Sequence, residues 1–72
     1  MDDVQEKLRI LLDYWIEHNS AHEKEFRDWA DKVGSLPTEV AHQLREAATK
    51  MAAASEELTK AKQALPKSKE GH

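Results

Sequence analysis

Apolar residues recur every three or four positions along the first half of the chain, at Val4, Leu8, Leu11, Trp15, Phe26, Trp29 and Val33. That spacing follows the 3.6-residue turn of an α-helix and draws one stripe down its side. His18 and His22 fall in step within the stripe, and Leu12, Ile16 and Ala30 widen it along one edge. The result is more apolar surface than one neighbouring helix covers. The second half repeats the spacing with Val40, Leu44, Ala47, Met51, Ala54, Leu58, Ala61 and Leu65, and its middle is mostly alanine. Between the halves stands Gly34-Ser35-Leu36-Pro37, the one internal cluster of helix-breaking residues.

The punctuation sets the expected ends. Asp3 with Glu6 forms the spacing of a capping box, and Asp2 and Asp3 suit the positive end of a helix dipole. Gly34 offers a left-handed residue to close the first helix, Ser35 a cap for the second, and Pro37 a residue suited to its first turn. The pattern predicts helix 1 over about 3–33 and helix 2 over about 36–65, together one hairpin domain over 1–65, and a disordered tail over 66–72 that starts at Pro66. The fold class is therefore all-α, an antiparallel two-helix hairpin. A 72-residue chain seldom builds a core contributing more than about 3–5 kcal/mol, so two hairpins are expected to dimerise into a four-helix bundle. In that hairpin His18 and His22 lie opposite residues 48–52, where Ala47, Ala48, Met51 and Ala52 leave room beside the rings.

Composition narrows the function. Eleven Lys and Arg against 14 Asp and Glu give a net charge of −3 with no basic patch, which argues against nucleic acid as a partner. No apolar run approaches the roughly 20 residues of a membrane span. The absence of cysteine removes disulfides, thiolate metal sites and thiol nucleophiles, and the acidic start lacks the basic and apolar regions of a signal peptide. A soluble, cytoplasmic protein is the expectation. Glu23/Arg27, Glu46/Lys50 and Glu56/Lys60 have the acid-first spacing that supports solvated helix faces.

Metal-ligand side chains converge at one place. Histidines four apart on a helix stand about one turn over each other, so the nitrogens of His18 and His22 can reach one ion, and Glu25 lies a further turn along. Imidazole with a carboxylate suits a borderline divalent cation such as nickel, zinc or cobalt. One helix makes an incomplete ligand set, however, and helix 2 offers only alanine, methionine and Ser55 opposite. Two antiparallel copies of helix 1 crossing near residue 20 would gather four imidazoles, with Glu25 as a fifth or substitute ligand. The competing reading is that the histidines are hydrogen-bonded members of the stripe and serve register alone. Glu39 and His42 have the spacing of a di-iron bundle motif but sit off the apolar stripe, and Met51 with His18 is better read as a gap-filling methionine than as a haem site. No phosphate-binding loop, nucleophile elbow or His-Glu-x-x-His motif occurs, so no catalytic residue and no organic cofactor site is expected, and the chain reads as a non-enzyme.

The stretch from Leu11 to Ala30, with Trp15, Glu17, His18, Asn19 and His22 followed by Glu25-Phe26 and Trp29-Ala30, resembles a small prokaryotic helical-hairpin domain. That domain occurs alone or appended to proteins of nickel and cobalt handling. The resemblance implies a metal-linked role, a metal-handling protein as partner, and His18, Asn19 and His22 as the distinctive positions. Two functions follow as expectations: a metal-binding protein that buffers, delivers or senses a divalent ion, or a non-catalytic dimerisation and interaction module that binds none.

Overall fold

The computed structural model describes residues 2–66, which form α1 (Asp2–Lys32) and α2 (Thr38–Ala64). The two helices pack against each other as an antiparallel hairpin. Neither proline nor glycine interrupts α1; the pair of Lys24 Nζ with Asp28 at 2.8 Å supports its solvated side, and Arg27 reaches Glu23 at the edge of the seam at 3.3 Å. Lys60 meets Glu57 at 3.8 Å instead of the expected Glu56.

The connection is built differently from the expectation. The Val33 amide donates to the Trp29 carbonyl at 3.1 Å, and the Leu36 amide donates to Val33 at 3.0 Å, closing a turn over residues 33–36. Gly34 is not left-handed, since no glycine among the described residues has a positive φ. Nor does Ser35 cap α2. Pro37 stands at the N-cap (φ −54°, ψ 143°) with no side-chain cap, and its carbonyl accepts from Val40 at 2.9 Å. The residue before a proline is pushed away from helical geometry, which delays α2 to Thr38. The same effect ends α2: Leu65, just before Pro66, is extended at φ −67° and ψ 142°. The expected tail falls on residues 67–72, outside the described residues, apart from Pro66. The Pro66 carbonyl accepts from Gln5 Nε2 and Arg9 NH2, each at 2.8 Å, which ties the end of α2 to the start of α1.

The facing of α1 is the principal correction. Val4, Leu8, Leu11, Trp15 and Trp29, expected to meet α2, are exposed. The seam is instead the same stripe advanced by one residue, through Arg9, Leu12, Ile16, Asn19, Glu23 and Ala30, with Phe26 and Val33 common to both. One residue is about 100° of helix rotation, so the whole tryptophan-bearing stripe turns away from α2. In α2 Leu44, Met51 and Leu58 face inward as expected, as does Leu65 just past its end, but Ala41, Ala48, Ser55 and Lys62 alternate with them, Ala47 is half-buried at the seam's edge, and Val40, Ala54 and Ala61 are exposed.

Steric fit and charge explain the choice. Ala48 is fully buried, so the helices approach closely, and two tryptophans would hold them apart; Leu12, Ile16 and Ala30 fit. The same rotation brings Asp13 to Lys62 and Asp31 to Arg45 along one flank. The buried core is thin: Leu12, Ala30 and Ala48 alone among the described residues, with no large side chain fully buried. No helix among the described residues is long and apolar enough to cross a membrane.

Candidate metal-binding histidine pair

His18 and His22 lie midway along α1, level with the alanine-rich middle of α2 but turned to its flank. His18 is exposed and the His22 side chain is 37% exposed, so neither ring is sealed in the seam as the sequence pattern suggested. Each instead stacks within an aromatic row. Tyr14 lies parallel to His18 with centroids 5.4 Å apart, His18 meets His22 edge-on at 4.5 Å, and His22 lies parallel to Phe26 at 5.8 Å. The row at 14, 18, 22 and 26 winds around α1 from solvent to the seam and restrains both imidazoles. Tyr14 and Phe26 thus brace the pair, a role the apolar pattern did not reveal. Its signal was an aromatic ring at every fourth residue.

The Nε2 atoms of His18 and His22 are 3.0 Å apart. On its far side, His22 Nδ1 is 3.3 Å from Glu25 Oε1. A carboxylate only accepts, so Nδ1 of neutral His22 carries the proton and Nε2 presents its lone pair. His18 Nε2–H can then donate to it; for both nitrogens to meet one ion, the proton between them must leave and the rings must turn so that both lone pairs face that ion. An ion bonded at about 2.0–2.1 Å to nitrogens 3.0 Å apart would see them at an angle of about 94°. The pair therefore fits a bidentate site. Glu25 touches the nitrogen turned away from that point, the position of a carboxylate that orients a ligating histidine.

The ligand set stops at two. Among the described residues, no group of three or more His, Asp or Glu side chains converges in a way that could hold an ion. Beyond Glu25, the Lys24 ammonium binds Asp28, and this hydrogen bond holds the Asp28 carboxyl below its usual range while Lys24 is raised above its own. Asp28 is thereby engaged elsewhere. His42 lies on α2 beside Gln43 and Glu46, away from the pair. His72 lies outside the described residues.

The geometry belongs to a chain with relatives. A family model described as a domain of unknown function, DUF8180, matches residues 8–65, spanning both helices and the histidine pair. The chain belongs to the DUF8180 family. An uncharacterised protein of Archaeoglobus fulgidus is 43% identical over 56 residues, covering 78% of this chain and 90% of that relative. The DUF8180 match takes in most of both helices, and the alignment with the archaeal relative covers most of that protein. No solved structure matches the chain.

Proposed function

We propose that this DUF8180 hairpin is a small, non-catalytic metal-binding protein of the cytosol. In this reading it buffers, delivers or senses a divalent ion, with His18 and His22 as its chelating pair. The observation that carries this reading is the 3.0 Å separation of the two Nε2 atoms, set by stacking on Tyr14 and Phe26 and by the Glu25 contact to Nδ1. Two imidazoles with a carboxylate beside them suit a borderline divalent cation such as nickel, zinc or cobalt. Glu25 acts here by orienting His22, and by rotation it remains available as a substitute ligand. The resemblance to domains found beside nickel- and cobalt-handling proteins supports the same chemistry, and such a protein is the partner that would receive or supply the ion. Two imidazoles hold an ion weakly, so the remaining ligands come from outside the chain, and a second copy supplies an identical pair.

Calorimetric titration of the metal-free protein with Ni²⁺, Co²⁺ and Zn²⁺ tests the assignment. The parent should bind one ion per two chains, and the double variant His18→Ala, His22→Ala should bind none, while His42→Ala binds as the parent does. Stoichiometric binding by the double variant would sink the proposal. The alternative function, a helical interaction module without metal, is favoured by a different observation, the exposed row of Leu8, Leu11, Trp15 and Trp29. It becomes the better reading if the parent responds to none of the three ions.

A further inference from the structure

We infer that a second copy of this chain seats antiparallel on the exposed flank of α1, with its two-fold axis between His18 and His22. The proposal rests on the chelating reading only for the position of that axis; the flank itself is assigned by packing. The hairpin buries Leu12, Ala30 and Ala48 and leaves Val4, Leu8, Leu11, Trp15 and Trp29 of α1 exposed on one flank, two of them more than half so, at 75% for Val4 and 52% for Trp29. Weighted by their exposures, these side chains with Val40 offer on the order of 550 Å² of surface, so two copies together bring about 1,100 Å², above the roughly 1,000 Å² that a specific interface needs.

Charge separates this flank from its opposite. The other side of the hairpin carries the Asp13–Lys62 and Asp31–Arg45 pairs and a shallow groove that mixes Ile16 and Ala52 with Ser20, Glu23, Glu56 and Lys60. On the apolar side, α2 contributes Ala47, Ala54 and Ala61, each one position before a seam residue and so turned about 100° toward the flank. A row of small residues beside the tryptophan-bearing stripe leaves space for a partner's large side chain.

Direction follows from the distribution of bulk. The apolar surface is broad in the first half of α1, with Val4, Leu8, Leu11 and Trp15, and narrows to Trp29 in the second. Antiparallel seating lays each narrow end over the partner's broad one and opposes the two helix dipoles favourably. Leu11 and Trp29 stand nine residues either side of position 20, so an axis there sets Trp29 of one copy over Leu11 of the other. The same axis sets His18 beside the partner's His22, and the two-nitrogen site becomes a four-nitrogen one.

Single-site thiols report this arrangement cleanly because the chain has no cysteine. In the double variant Leu11→Cys, Trp29→Cys the two thiols of one chain are separated by 18 residues of helix, about 27 Å, far beyond disulfide reach, so every bridge formed joins two chains. Oxidation in the presence of EDTA should give a covalent dimer with two disulfides and no higher polymer. The opposite-flank control Asp13→Cys, Arg27→Cys should stay monomeric. A preferred Leu11-to-Leu11 bridge in the single variant Leu11→Cys, or a ladder of polymers, overturns the antiparallel closed seating. Sedimentation of the unmodified chain in EDTA is the second readout: a dimer that Trp15→Glu converts to a helical monomer supports the flank, and a parent that sediments as a monomer overturns it. A dimer without metal affinity removes the chelating reading alone, whereas an ion bound by a monomer removes the seating and leaves the chelating pair.

Discussion

Leu11 and Leu12 are adjacent in sequence and identical in chemistry, yet the hairpin assigns them opposite environments, so truncating each in turn measures which stripe of α1 holds α2. Leu12 is 2% exposed and Leu11 is 43% exposed. Leu12→Ala removes three carbons from a sealed site and leaves a cavity, a loss of about 3 kcal/mol within the range of about 2–5 for such changes. Leu11→Ala removes the same atoms where roughly half of their surface already meets water and no cavity closes, so the hairpin loses on the order of 1 kcal/mol. Against a total of about 3–5 kcal/mol for so small a core, Leu12→Ala takes most of the stability. With a urea dependence of about 1 kcal/mol per molar, it moves the unfolding midpoint by about 3 M or leaves the chain unfolded. Helicity followed by circular dichroism against urea reads both variants. At high dilution the order of cost should be Leu12 above Leu11. As concentration rises into the range where copies associate, the cost of Leu11→Ala should grow while that of Leu12→Ala changes little. If Leu11→Ala is the more damaging variant at dilution, the seam runs through the tryptophan stripe and the facing described above is wrong.

Removing the carboxylate that orients His22, in Glu25→Ala, should weaken metal binding by about 10–100-fold without lowering helicity, as expected for a partner that acts through the ligand; unchanged affinity in titration would show that the 3.3 Å contact does nothing for the ion. Tyr14→Ala removes one brace of the histidine row, and the His18 ring proton resonances should broaden and shift while those of Phe26 stay in place; an unaltered His18 spectrum would remove Tyr14 from the site. The depressed Asp28 carboxyl stabilises the fold above its unfolded value, and this contribution disappears as pH falls through the lower folded value. In a carboxyl NMR titration, Lys24→Met should move the Asp28 midpoint up toward the ordinary 3.8, and a midpoint that stays put would mean the ammonium is not the cause. Arg9→Ala should loosen the junction of the chain ends, seen as faster amide exchange at Leu65, because one of the two donors to the Pro66 carbonyl is lost; equal exchange in variant and parent would count against that clasp.

The two helices themselves were legible in the sequence, although the cap of α2 and the bracing of the histidines by Tyr14 and Phe26 were not. Two long segments free of Gly and Pro, separated by Gly34-Ser35-Leu36-Pro37, determine two helices and an antiparallel return, because helix formation and its interruption are local. The four-residue spacing of His18 and His22 likewise brings their nitrogens together within one helix, whatever α1 packs against. The direction in which those rings point was not legible. Helical periodicity states which residues share a side of α1, and α1 has two apolar sides about one residue apart: Leu8, Leu11, Trp15 and Trp29 on one, Leu12, Ile16 and Ala30 on the other. Hydrophobicity favours the first. The tertiary structure selected the second, because the alanines of α2 admit only slim neighbours at close approach, and because that rotation alone joins Asp13 to Lys62 and Gln5 and Arg9 to the Pro66 carbonyl. Those partners lie 49 to 61 residues apart along the chain, a separation at which no local pattern carries information. Their pairing left the tryptophans and the histidine pair on the open flank.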